Sequence, residues 1–389
     1  MDPQAETPNA EKPVEKMIEV AISPEFPAWM AQAGGSVIIT TYQADKVILA
    51  GWNGRQVTLL PRHFDRPMGL TVRGRSIALA TRREIWMFGN APFLAPHYPE
   101  PDCKRYDALF LPRATHITGE LNVHDLAFGT EGLWFVNTRF SCLSLLTPEY
   151  SFLPKWQPKF ISELVPEDRC HLNGLVLQDG KPKYVTALGT ADRAGAWREN
   201  KASGGVLMEV DSKEIIMDGL CMPHTPRYHN GKWWLLNSGA GEFLQIVPER
   251  SEKTVVCALP GYLRGLCFVG NRWALIGISL IREKHMWAGL AVQKRFEHQL
   301  LCGVAVVDLN DGRHVATLQF TQGAEELYDV QFLPGILRPS ILNLSAPVAY
   351  EGVTAPAFDY WIKPAPEKAG ADGQGQPPAG PNAAPPPGK

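Results

Sequence analysis

Three histidines, His124, His171 and His224, each fall within three residues of a small polar or glycine step that opens an apolar run. Neutral imidazole is a good ligand for zinc, copper or iron, and three such ligands with an open position make a catalytic metal site. A metal held there lowers the pKa of bound water towards about 7 or polarises a carbonyl. Asn122, Asn173 and Glu326 stand at comparable openings and would complete the sphere or orient the imidazoles. A metal-free chemistry uses the same neighbourhood. Arg66, Arg264 and Arg139 would clamp a carboxylate or phosphate through paired hydrogen bonds, with His124 or His171 as general base. A third reading has each imidazole bonding a neighbouring backbone and doing no chemistry. Cys221 and His224 have a Cys-x-x-His spacing, but without a second pair Cys221 reads as core.

What would bring residues so far apart together is repetition. The segments RPMGLTVRGRSIALATRREIWMFG, NVHDLAFGTEGLWFVNTRFSCLSLL, HLNGLVLQDGKPKYVTALGT, MPHTPRYHNGKWWLLNSGAGEFLQIV, YLRGLCFVGNRWALIGISL and ELYDVQFLPGI share one plan. Each begins with a step (Gly69, Asp125, Gly174, Thr225, Gly265, Asp329), runs through an apolar strand and, in the complete units, returns in a second strand. Successive steps lie 56, 49, 51, 40 and 64 residues apart. Short strands at such a period are the signature of propeller blades. The sixth unit lacks its later strands, while residues 36–61 have later strands without a first. The expected fold is therefore an all-β, six-bladed β-propeller, its ring closed where the N-terminal strands pair with the last C-terminal strand at 328–333. A two-sheet sandwich is the competing architecture.

In a propeller the first strand of each blade lines the central channel, so the residues entering it converge on one mouth. These are Arg66 and Met68, Asn122 and His124, His171 and Asn173, Met222 and His224, Tyr262 and Arg264, and Glu326 and Tyr328. The mouth also receives the loops between second and third strands. Two are long, at 190–205 and 282–299, and offer Asp192, Arg193, Trp197, Arg198, Glu199, His285, Arg295 and His298 as a lid. TRR at 81–83 and NTR at 137–139 end their second strands on the same side, which suits an anionic ligand.

Composition sets the limits. The chain has 389 residues, 45% hydrophobic, with 11 Trp and 16 Phe, enough for a large core. A net charge of −2 gives no electrostatic case for nucleic acid or an anionic membrane. No run of about 18 apolar residues and no secretory h-region is present. Seven scattered cysteines suit reduced thiols, and the expected location is cytoplasmic. Residues 1–20 and 362–389 read as disordered tails, the latter rich in Pro, Gly and Ala, around a domain at 21–361. That domain starts with a short helix in SPEFPAWMAQAGG, capped by Ser23, with Pro24 in its first position and Gly34 at its end. No phosphate loop and no Gly-x-Ser-x-Gly elbow occurs.

With TTYQADKVILAGW, RPMGL, NVHDLAFG, LWFVNTRFSCL, HLNGL, WRENKASGGVL and MPHTPR…WWLLNSGAGE in view, the chain resembles an uncharacterised bacterial family of conserved hypothetical proteins, some fused to tetratricopeptide repeats. The likeness spans roughly residues 23–343 and implies a shared fold without an activity. More loosely, the architecture is similar to gluconolactonase-type and amidating-lyase propellers, which hold a metal at the channel mouth. The acidic ligands of the former are missing here, and the three-histidine zinc site of the latter is the nearer analogy.

The expectation is a polar, lidded mouth that binds a small molecule or peptide, acting as a metal-dependent lyase or hydrolase. His124, His171 and His224 would hold zinc, copper or iron, Arg264 the substrate anion, and Glu326 a mobile proton. Arg66, Asn122, Asn173, Arg139, Tyr328, Trp197 and Arg198 would line the substrate. The alternative is a non-catalytic scaffold that holds a protein partner through its rim or its Pro-rich tail.

Overall fold

A computed structural model describes residues 17–281, 289–297 and 299–362. Six small antiparallel sheets follow one another and form a six-bladed β-propeller. Blades two, three and four are each a continuous run of four strands, their first strands being Val123–Phe128, Leu172–Gln178 and Pro223–His229. Blade six is composite. Its inner strand is Asp329–Pro334, and Gly35–Thr41, Lys46–Trp52 and Val57–His63 complete it. Gly35 faces Pro334 and Thr40 faces Asp329 in an antiparallel ladder, so chain ends far apart in sequence close the ring, as the strand pattern requires. Closure removes two exposed sheet edges.

Blades one and five gain a fifth strand. Pro339–Ile341 runs parallel to Ala108–Ile117 on the outside of blade one. Glu19–Ile22 pairs with His314–Gln322 on the outside of blade five, so Glu19 and Val20 lie in a strand rather than in the N-terminal tail. The tails beyond, 1–16 and 363–389, lie outside the described residues.

The helix is Glu25–Ala33, ended by Gly34 in the left-handed region (φ 65°). Ser23 does not cap it with its side chain. Its Oγ accepts the Thr317 amide at 3.1 Å, prolonging the strand pairing on blade five, and Pro24 takes the cap position. Phe26, Trp29 and Met30 are buried against blades five and six. Burying each such side chain contributes about 1.5–3 kcal/mol.

The six opening steps alternate. Gly69, Gly174 and Gly265 open the odd blades, while Asp125, Thr225 and Asp329 open the even ones. Each even side chain accepts an amide from the next blade: Asp125 Oδ2 from Leu175 (3.0 Å), Thr225 Oγ1 from Gly265 (3.3 Å) and Asp329 Oδ2 from Leu70 (3.0 Å). The glycines allow the approach. A Cβ on Gly69 would lie 2.8 Å from His124 O, and one on Gly265 (φ 75°) 2.5 Å from Val330 N. Arg227 of blade four completes the seam. It binds Asp125 through both terminal nitrogens (2.9 and 3.2 Å) and donates to Leu175 O and Leu266 O. Asp125 thus belongs to the ring's joinery.

Candidate functional site

Three residues before the steps of blades one to four stand Arg66, Asn122, His171 and Met222, all with φ between 50° and 53°. Non-glycine residues adopt this left-handed turn at a cost of about 1 kcal/mol or more, so its recurrence is a built feature. The turn aims side chains at the axis. All four line one cavity of about 160 Å³ at the channel mouth, together with Tyr42, His124, Asp168, Trp197, Arg264 and Tyr328.

His171 is the most elaborately held. Its Nδ1 lies 2.9 and 3.0 Å from the two carboxylate oxygens of Asp168, three residues earlier. Asp168 also accepts the indole N–H of Trp197 at 3.2 Å, and the Trp197 ring packs on the imidazole with centroids 4.4 Å apart. Arg198 lies over the Trp197 ring at 4.2 Å. Trp197 and Arg198 come from the 188–204 loop of blade three, which turns through a 3-10 helix at Ala196–Asn200 and brings both side chains to the cavity. Arg169 pins that loop by binding Asp192 at 2.8 Å.

His124 meets His171 edge to face, centroids 4.7 Å apart. Its Nδ1 faces the Asn122 carbonyl at 2.8 Å and Thr138 Oγ1 at 2.7 Å. A carbonyl only accepts, so Nδ1 carries the proton and Nε2 keeps its lone pair. His224 repeats the arrangement with Met222 O at 3.0 Å, and its buried Nε2 has no hydrogen-bond partner among the described residues. Burial, first, and the neighbouring His171 and Arg264 hold His124 well below the ordinary histidine range. Burial and Arg264 do the same to His224. Both imidazoles are neutral at pH 7.

Charge on the other wall is positive. The Arg264 guanidinium sits 4.9, 5.2 and 5.6 Å from the rings of Tyr328, Tyr262 and Tyr42. Arg66 reaches Glu120 at 3.2 Å and lies 5.9 Å from the Tyr42 ring. Burial keeps Tyr328 a neutral phenol, its pKa pushed well above 10, and its hydroxyl has no hydrogen-bond partner among the described residues. Tyr42 donates its hydroxyl to Glu326, whose carboxyl burial pushes up to about 7.

The description "Domain of unknown function (DUF4915)" matches residues 24–342. The chain belongs to this family. No curated protein matches the DUF4915 chain in sequence. Among solved structures it is similar to a chain in "Crystal structure of Nidogen/Laminin Complex". The identity is 10% and the TM-score 0.48, over 78% of this chain and 99% of that one.

Within this DUF4915 domain several expected site residues take other positions. Asn173 is buried and spent on blade joinery, donating to Pro223 O at 2.9 Å and accepting from Thr186 at 2.6 Å. Arg139 donates to Glu120 O at 3.1 Å and does not line the cavity. Glu326 does not line the cavity and accepts the Tyr42 hydroxyl. Arg193 pairs with Glu199 and Arg295 with Glu242 at 2.9 and 2.8 Å, while His285 and His298 lie outside the described residues. Among the described residues no group of three or more His, Cys, Asp and Glu side chains is arranged to hold a metal ion.

Two site residues escaped the sequence reading. Asp168 carried a signal, its Asp-x-x-His spacing to His171. Tyr42 follows the second strand of blade six as Thr138 follows that of blade two, the four-residue loops closed by Thr41↔Lys46 and Asn137↔Cys142 making them equivalent.

Proposed function

We propose that the histidine-lined mouth binds a small organic anion, a carboxylate or phosphate, and performs lyase or hydrolase chemistry on it. The observation that carries this reading is the Trp197–Asp168–His171 chain opening onto a cavity that Arg66, Arg198 and Arg264 also line. Arginines around a sheltered cavity favour a carboxylate or phosphate by charge and by paired donors. Asp168 orients the His171 ring so that Nε2 is the atom left to take a proton from substrate or water. Glu326, titrating near neutrality behind Tyr42, is suited to return one. A cavity of about 160 Å³ suits a ligand of only a few heavy atoms.

The test is calorimetric titration of the intact protein with acetate, pyruvate and inorganic phosphate, beside Arg264→Ala and His171→Gln. Binding that Arg264→Ala abolishes and His171→Gln retains supports an anion site with a separate base. Binding unchanged in Arg264→Ala overturns the reading.

A metal-assisted version is the second reading, with zinc, copper or iron on His124, His171 and His224. It is favoured by one observation: all three rings have Nδ1 engaged by an outer acceptor, the second-layer support that metal-bound imidazole commonly has. Against it stands the lack of a gathered three-ligand cluster in the described residues. Elemental analysis of untagged, chelator-free protein decides. The scaffold reading draws on exposed Phe358 and Tyr360 of the C-terminal hairpin, with exposed Tyr350 in the 3-10 turn before it and Ile362 after it. A cytoplasmic location is supported by seven unpaired cysteines, and no described helix is long and apolar enough to cross a membrane.

A further inference from the structure

The channel has a second mouth. Three residues after each opening step the inner strands carry Val72, Phe128, Leu177, Tyr228, Phe268 and Phe332. Where the histidine mouth is polar, this ring is apolar in all six blades and aromatic in four. None of the six is fully buried, and Tyr228 is 42% exposed. Two cavities open here, of about 600 and 310 Å³, sharing Val72, Arg227, Tyr228 and Gln331 in their walls. Between the mouths stand Asp125 and Arg227, bound to each other. No residue that lines the histidine cavity lines either far cavity.

Its chemistry is specific in two ways. Flat stacking surfaces are ready: the His229 ring lies parallel to Phe268 at 4.2 Å, and Tyr228 leans on Trp233 at 4.4 Å. The rim is basic. At the inner turns of this face, between first and second strands, Arg73, Arg75, Lys181, Lys232 and the Asp308-paired Arg272 stand against Glu131 and Asp179, and Arg73 lies over the Phe128 ring at 4.4 Å. Glu131 is itself bound by Lys155 at 3.1 Å. A wide apolar funnel with a cationic collar matches a ligand with an apolar ring system and an acidic group.

We propose that this far mouth is a second binding site, taking aryl-bearing organic anions whose rings enter between Tyr228, Phe268 and Phe332 while the acid meets Arg73. The ligand class differs from that of the histidine mouth, where the space excludes a fused ring system.

The test is a fluorescence titration of the intact protein with 8-anilinonaphthalene-1-sulfonate. One saturable site is expected. Tyr228→Asp and Arg73→Glu, both at the rim and both checked for unchanged melting, each weaken it about tenfold or more, equivalent to about 1.4 kcal/mol. Tyr350→Asp, in the exposed 3-10 turn at Pro347–Tyr350 and outside the lining of both far cavities, leaves it unchanged. Absence of saturable binding overturns the proposal. So does a dye site that Tyr350→Asp weakens and the two rim variants do not.

Discussion

Asp125 of blade two and Arg227 of blade four face each other across the channel with two hydrogen bonds, at 2.9 and 3.2 Å. The same carboxylate accepts the amides of Leu126 and Leu175, so one side chain joins three blades. A charge pair inside a propeller axis is costly to desolvate, and the surrounding carbonyls and amides offset that cost by satisfying both groups.

Asp125→Ala is expected to lower stability by about 3–5 kcal/mol, because it leaves the Arg227 guanidinium largely buried without its carboxylate. Chemical denaturation reads the loss. A double variant, Asp125→Ala with Arg227→Met, recovers part of it. Equal stability of the single variant and the parent contradicts the seam.

Gly265→Ala tests the alternation of openings. The added methyl meets the Val330 amide nitrogen at 2.5 Å, on a backbone already at φ 75°. Gly74→Ala is the control, since its left-handed φ of 59° is matched by open space around the new carbon. The control costs about 1 kcal/mol from the left-handed backbone alone. Gly265→Ala costs several times more, seen as a larger fall in melting temperature.

Glu326 predicts a pH dependence. Its native pKa is about 7 against an ordinary 4.5, so between these values the native state holds a proton that the unfolded chain has lost. Stability therefore falls as pH rises from 4.5 to about 7, and stays lower above. Glu326→Gln removes this slope and gains on the order of 1–3 kcal/mol at pH 8 relative to pH 5. Buried Asp329, shifted upward chiefly by burial, adds a slope of the same sign that the variant leaves in place. His124 and His224 act oppositely. Their lowered pKa values make the unfolded state the better proton binder below about pH 6.5, so acidification destabilises. Melting curves from pH 4.5 to 8.5 check both arms.

Asp168→Ala is expected to loosen the 188–204 loop, since His171 and Trp197 lose a shared acceptor and Arg198 a nearby anion at 3.9 Å. Trypsin cleavage at Arg193, Arg198 or Lys201 should rise several-fold with global melting lowered by only about 1–3 kcal/mol. Asp168→Asn restores the protection in part, because an amide oxygen still accepts one of the two donors.

Much of the mouth was legible because a propeller translates sequence period into spatial convergence. Once the steps at Gly69, Asp125, Gly174, Thr225, Gly265 and Asp329 are aligned, the residues one and three positions earlier must face the axis. His124, His171, Arg66, Asn122, Arg264 and Tyr328 do so. Alignment does not say how each side chain is employed. Asn173 sits at a mouth position, yet the backbone of blade four was near enough to claim it.

The number of blades, the composite sixth sheet and the polar character of one mouth follow from residue order, because strand period and apolar alternation are local properties of the chain. Which polar groups bond to each other across blades depends on the packed ring. Tyr42 reached Glu326 and Arg227 crossed to Asp125 through side-chain rotamers and inter-blade distances, and neither is written in residue order. The apolar far mouth was decided the same way: Phe128, Tyr228, Phe268 and Phe332 read as ordinary strand residues until ring closure set them around one opening.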